Sequence, residues 1–272
     1  MIRVHAVQTG RLIGNRTFLR AQRWSSLLRP ARPIEFPVYS FIVEHPEGLF
    51  AIDSGMNAGA RVSWAHRRFV PRPVIGPDEE IGPQMRARGL DPRDVRRVVV
   101  THLDWDHVGG VAHFPDAEVL VHRPEHEFAS TSMGRFRYQP QRWPAGFAPT
   151  LFGLDDGPYG PFPASRVLSE RGDVRAVPLP GHTIGQVGVL VETDGPVLLF
   201  AADHVLRQDW FLADFDAGRL LGLGIFFPDE AIASSRRVRR LMHERPTLLL
   251  PAHDADVPTR LATITTHEEA MS

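Results

Sequence analysis

The segment Thr101-His102-Leu103-Asp104-Trp105-Asp106-His107 constrains this chain more than any other feature. Four side chains able to ligate a metal fall within six residues, directly after the β-branched run 97–101. Imidazoles and carboxylates stranded at a strand end are costly unless they are paired or ligating. A strand end and a tight loop turn such side chains toward one point outside a sheet. The following Gly109-Gly110 permits close backbone approach, with a helix expected to start near His107. A solvated acidic loop is the plainer reading of this cluster. It leaves unexplained three further candidates, each at the end of an apolar segment. His182 lies in Leu179-Pro180-Gly181-His182-Thr183, Asp203 follows Val197–Ala202, and His253 follows Leu248-Leu249-Leu250-Pro251-Ala252. Seven candidates suit two adjacent metal ions with one carboxylate bridging them.

Composition narrows the chemistry. The 272 residues contain no cysteine, which excludes disulfides, thiolate nucleophiles and thiolate metal sites. Any metal must use His, Asp or Glu, a donor set suited to zinc, iron or manganese. The formal net charge of -1 points to no nucleic-acid partner and no acidic tail. The first 16 residues lack the apolar core of a signal peptide, and the longest apolar stretch, 220–227, is too short to span a bilayer. A cytoplasmic protein with no membrane partner is therefore expected. With 43% apolar residues and no linker or repeat, the chain reads as one large domain over 1–272.

Strand character recurs from end to end, at 2–8, 36–43, 48–52, 97–101, 118–122, 174–177, 187–192, 197–202 and 247–250. His45-Pro46-Glu47-Gly48 reads as a hairpin turn. Helices are expected at 78–88, ending on Gly89, at 228–244, with Ile232, Val238 and Leu241 on one face, and at 259–270. Two stretches, 55–77 and 132–163, are rich in Pro, Gly and aromatics. They are read as long loops serving as lids or binding walls, against the plainer reading of surface loops packed on their own aromatics.

The motif set resembles the metallo-β-lactamase superfamily, whose main signature is H-x-H-x-D-H, with the later G-H-T, Asp and His motifs in the same order. Within it, the flanking residues are most similar to the N-acyl homoserine lactonases. They include Phe36-Pro37-Val38-Tyr39, Ile52-Asp53-Ser54-Gly55-Met56, Pro180-Gly181-His182-Thr183 and Ala252-His253-Asp254. The resemblance implies a four-layer αββα sandwich and two divalent metal ions, zinc first. His102, Asp104 and His182 would hold one ion, and Asp106, His107 and His253 the other. Asp203 would bridge them, and Asp53 would support the ligands from behind. The implied activity is hydrolysis, with hydroxide shared by the two ions attacking a carbonyl and Asp106 orienting it or shuttling its proton. The expected partner is a small molecule with an ester or lactone carbonyl, and a homodimer is left open.

Two positions depart from that pattern. Asp104 stands where the signature has its second His, and a third carboxylate shifts preference toward iron or manganese. Leu206 stands where the lactonases place a substrate-contacting Tyr. Leu206 keeps another ester, a thioester or a phosphodiester open as substrate. The Asp104 carboxylate is similar to the diiron branch of the superfamily, and a degenerate binding protein is the remaining alternative. Trp105 is read as core or as pocket wall, and His204 as a pocket residue or a structural one. His113, His122 and His126 are read as packing or surface residues, and the arginines of 236–240 as a solvated helix face.

Overall fold

The computed structural model describes residues 2–15, 33–59, 71–213 and 227–263. Its strands form two sheets. The first takes β1 (Arg3–Asn15), β2 (Pro33–His45), β3 (Gly48–Ile52), β4 (Arg72–Val74), β5 (Val95–Val100), β6 (Glu118–His122) and β7 (Thr150–Phe152), in the order β4-β1-β2-β3-β5-β6-β7. The second takes β8 (Arg166–Val167), β9 (Val174–Pro178), β10 (Val187–Val191), β11 (Val197–Ala202) and β12 (Thr247–Pro251), in the order β12-β11-β10-β9-β8.

Period-two patterning explains the layering, because alternate side chains of a strand face opposite sides of its sheet. Phe41, Val43 and Val99 of the first sheet meet Val187, Val189, Val191, Leu198 and Phe200 of the second in one buried core. The residues between them face outward and are buried too. Ile42, Val98 and Val100 pack under α1 (Ile81–Arg86), α3 (Arg123–Ser130) and α4 (Ser132–Tyr138) through Ile81, Met85, Ala129 and Tyr138. Leu190, Leu199 and Ala201 pack with Phe211 of α5 (Gln208–Leu212) and under α6 (Pro228–Glu244) through Val238 and Leu241. The result is the expected αββα sandwich, and strands buried on both faces read as near-continuous apolar runs.

The sheets are joined at one edge by backbone hydrogen bonds. Val187 N–H donates to Thr101 O (3.1 Å) and Tyr39 N–H to Ala252 O (2.8 Å). The first acceptor precedes His102 and the second precedes His253, so the joint sits where the candidate ligands emerge.

Several expectations need correction. The 132–163 stretch is not one long loop. It contains α4, a 3-10 turn at Pro140–Arg142 and β7. Its aromatics hid the helix because Tyr138 faces inward while Phe136, 69% exposed, faces solvent. The 78–88 helix is a 3-10 turn at Pro77–Glu79 followed by α1, because Pro83 lacks the N–H that a helix continuing from Asp78 would use. The helix expected to start near His107 is present as α2 (Trp105–Val108). On α6, Ile232 is only half-buried, and Ala231 and Ser234 share the buried face with Val238 and Leu241. Of the 55–77 stretch, residues 60–70 lie outside the described residues, as do 220–226 and the end of the expected helix at 259–270. No helix among the described residues is long and apolar enough to cross a membrane.

Candidate metal centre

The seven candidates from the sequence converge at that joined edge. His102, Asp104, Asp106 and His107 follow β5, Asp106 and His107 within α2. His182 follows β9, Asp203 follows β11 and His253 follows β12. Three groups of three draw their ligand atoms within 4.8 Å of one another: His102 with His107 and Asp203, His102 with Asp104 and His182, and Asp106 with His107 and His253. Asp203 lies between them. Its Oδ1 is 3.1 Å from Nε2 of both His107 and His253, and its Oδ2 is 3.4 Å from His182 Nε2.

Local backbone makes this convergence possible. Asp53 and Ala202, before the two turns that enter the site, adopt left-handed φ values of 59° and 46°. Such conformations are costly for non-glycine residues and cluster where surrounding structure enforces a functional geometry. The expected close approach at Gly109-Gly110 is present, since a Cβ on Gly110 would lie 2.2 Å from Ser54 O. Ser54 also donates twice to His107 O, from N–H (2.7 Å) and from Oγ (2.8 Å).

Each of three imidazoles is turned from behind. Asp53 accepts from His107 Nδ1–H (2.8 Å), from Thr101 N–H (2.8 Å) and from Thr101 Oγ1–H (2.9 Å). His102 Nδ1–H in turn donates to Thr101 Oγ1 (3.1 Å), and His253 Nδ1–H donates to Pro37 O (2.8 Å). Protons held on Nδ1 leave the Nε2 lone pairs facing inward, the arrangement by which outer hydrogen bonds orient metal-ligating histidines. Asp53 thus supports two of the candidate ligands.

Electrostatics set the site apart. Burial and the neighbouring His107 push the His102 pKa down to about 4. Burial opposes charge on His107 as well, but Asp203, Asp53 and Asp106 outweigh it and raise its pKa well above the ordinary value, so without a metal a proton takes the place at Nε2 that a cation would fill. Burial raises Asp106, with the Asp203 and Asp104 carboxylates adding to the effect. Buried polar groups normally find hydrogen-bond partners. Here His102 Nε2, His107 Nε2 and Asp203 Oδ1 are buried and make no hydrogen bond, the 3.1 Å approach of His107 Nε2 to Asp203 Oδ1 being an ion-pair contact without hydrogen-bond geometry. Inward-facing imidazole nitrogens beside a carboxylate oxygen, none of them satisfied by a hydrogen bond, are what a borderline divalent cation requires, so the donor set fits a metal.

The other candidates divide. Trp105 is buried with Leu12, Phe36, Val38 and Met56, and the Arg142 guanidinium lies 5.1 Å over its ring. His204 is buried beside His182 and pairs with Ser235 Oγ (3.2 Å), and burial, then His182, lowers its pKa to about 4. Leu206 is half-buried. His113 pairs with Glu80, and His122 Nδ1–H donates to Gly185 O (2.8 Å), so both are engaged away from the centre. A fourth group, His45, Glu47 and Asp173, also has ligand atoms close together. It is already satisfied, with His45 Nε2 on Asp173 (3.0 Å) and Nδ1 accepting from Glu47 N–H (3.1 Å).

Two residues escaped the sequence reading. Glu125, fully buried on α3, accepts from Leu103 N–H (2.9 Å), Thr183 Oγ1–H (2.7 Å), Gly185 N–H (3.1 Å) and Tyr138 O–H (2.6 Å). One carboxylate therefore ties the loop carrying His102 and Asp104 to the loop carrying His182. Burial raises its pKa despite those donors. Arg137, on α4, places its guanidinium 2.6 Å from Asp104 Oδ2 and 2.9 Å from His182 Nε2. No motif around residue 137 marks it in the sequence.

An αββα sandwich with a His- and Asp-lined centre at the joined sheet edge defines a metal-site fold of one superfamily. The chain belongs to the metallo-beta-lactamase superfamily, whose family model matches residues 33–253. Among its relatives, the N-acyl homoserine lactonase AttM of Azorhizobium caulinodans is 29% identical over 238 residues, 82% of this chain and 83% of that protein. A probable metallo-hydrolase of Mycobacterium tuberculosis is 33% identical over 171 residues, 60% of this chain, and the match spans only about half (54%) of that protein's length. The solved structure of a B. thuringiensis AiiA variant with N-decanoyl-L-homoserine bound at its active site superposes with a TM-score of 0.74 at 20% identity, covering 94% of this chain and 95% of that one. At that identity the likeness speaks to the fold.

Proposed function

We propose that this protein is a metal-dependent hydrolase that opens the ring of a lactone, with N-acyl homoserine lactones as the substrate class. The observation that carries the reading is the convergence of seven His and Asp side chains in overlapping groups at one end of the sandwich, with three of their buried atoms making no hydrogen bond. The likeness to AttM along most of both chains supports the lactone in preference to other esters.

His102, Asp104 and His182 would hold one divalent ion, Asp106, His107 and His253 a second, and Asp203 would bridge, with zinc the first candidate. Bound there, such ions polarise a carbonyl oxygen and lower the pKa of a water. The chain's own residues orient and buffer that chemistry. Asp53 and Pro37 O keep protons on the outer nitrogens of His107 and His253, so Nε2 stays available. Asp106 Oδ2, 3.6 Å from His253 Nε2 and 3.9 Å from His107 Nε2, is the carboxylate whose burial favours taking up a proton, and it would carry that proton to the departing alkoxide.

The test is ring opening of short- and long-chain N-acyl homoserine lactones by protein reconstituted with Zn, Mn, Fe or Co. The expected kcat/KM is about 10⁴ M⁻¹s⁻¹ or more with at least one metal. Absence of turnover by protein with metal demonstrably bound would overturn the lactone and direct the search to thioesters, phosphodiesters and open-chain esters.

A further inference from the structure

The two sides of the centre are not alike. On the side of His107, Asp203 and His102, three buried atoms have no hydrogen-bond partner. On the side of Asp104 and His182, a protein cation is already seated. Arg137 NH2 lies 2.6 Å from Asp104 Oδ2 and 2.9 Å from His182 Nε2, with its side chain only 7% exposed. We propose that the Arg137 guanidinium stands in for the ion on the Asp104–His182 side, so that the resting protein carries one divalent ion and admits a second only by displacing Arg137.

The chemistry of the contacts supports this assignment. A guanidinium is always charged and only donates, so with Arg137 seated, His182 Nε2, which also lies 2.9 Å from Asp104 Oδ2, turns its lone pair to the guanidinium. An imidazole nitrogen has one in-plane lone pair, which can serve Arg137 or a metal but not both. The carboxylate at position 104 completes the logic. Its Oδ2 lies 2.6 Å from Arg137 NH2, so carboxylate and guanidinium form a close ion pair inside the centre. An imidazole at 104 would remove the carboxylate that this buried guanidinium touches, and breaking a buried ion pair by losing one partner is strongly unfavourable. Asp104 and Arg137 therefore make sense together, as a pair replacing one ligand and one ion.

The placement is also held from outside the centre. Arg137 is next to Tyr138, whose hydroxyl donates to Glu125, and Glu125 fixes both loops that carry Asp104 and His182. Across the centre, the ligand atoms of His102, His107 and Asp203 lie within 4.8 Å of one another, close enough for one ion to span them. His102, assigned to the first ion by resemblance, is then free to serve the single ion.

The proposal rests on the metal-centre reading but not on the lactone, and its test reads metal content. Metal-free protein is titrated with Zn²⁺ against a chelating indicator, and retained zinc is counted after gel filtration. Wild type should retain one zinc per chain and bind a second at least about tenfold more weakly, because apparent affinity falls by the fraction of time the competent state is populated. Arg137→Gln should narrow that gap at least about threefold and retain two. Asp104→His, which removes the partner of Arg137 and supplies a ligand, should do the same, and serves if Arg137→Gln does not fold. Two zinc ions bound equally by wild type, or a gap unchanged in the variant that folds, would overturn the proposal. Wild type retaining no zinc would overturn the metal-centre reading with it, whereas failure to open any lactone would leave this inference standing.

Discussion

Asp53 shows how one residue can set a metal site without touching a metal. Its carboxylate takes Nδ1–H of His107 directly and Nδ1–H of His102 through Thr101, from a left-handed backbone position. Replacing Asp53 with Ala should lower zinc affinity about 10- to 100-fold, the usual effect of losing an outer partner of a metal-ligating histidine. Zinc titration of the folded variant checks this, and wild-type affinity would contradict it. Asp106→Asn keeps the shape but removes the proton acceptor. It should reduce kcat/KM for lactone opening by about 10²-fold or more. A variant retaining the wild-type rate would remove Asp106 from the chemistry.

At the scale of elements, Glu125 is the fastener between two loops from different sheets. Four donors meet its two oxygens. Glu125→Gln offers one acceptor oxygen and adds two donors, leaving buried N–H and O–H groups unmatched. We expect a loss of about 2 kcal/mol or more in denaturant unfolding. Unfolding indistinguishable from wild type would contradict the fastening role. The elements that carry the candidate ligands were legible in the sequence because each announces itself twice, as an apolar run and as a polar residue at its end. β6, β11 and α6 stand at the expected bounds. What escaped is equally physical. β4, β7 and β8 have two or three residues each, too few for alternation to register. Glu125 and Arg137 sit on short helices whose role depends on contacts 13 to 60 residues away, which no local pattern encodes.

Across the whole molecule, the inter-sheet core and two outer helix layers leave the joined edge as the place where strands of both sheets end in His and Asp. Away from it, the β2–β3 hairpin is pinned to the second sheet by buried His45, which bonds Asp173 at 3.0 Å. Burial would raise the Asp173 pKa, but hydrogen bonds from Ser169 and His45 hold it below the ordinary 3.8. A carboxylate depressed in the folded state adds stability above its unfolded pKa and loses it as pH falls through the folded value. Asp173→Asn should therefore cost about 1–2 kcal/mol at pH 7, with the gap to wild type shrinking below about pH 4. Comparing the two proteins at each pH cancels any common loss of metal. A gap unchanged between pH 7 and strong acid would contradict the assignment.

The central claim is that this chain hydrolyses a lactone through metal held by its buried His and Asp cluster. The most direct measurement follows N-hexanoyl homoserine lactone opening before chelation, after exhaustive chelation and after adding back zinc or manganese to the same folded sample. The account predicts loss of turnover with the metal and its return on reconstitution, in wild type but not in His107→Ala. Turnover that survives complete metal removal, or that His107→Ala retains in full, would contradict it.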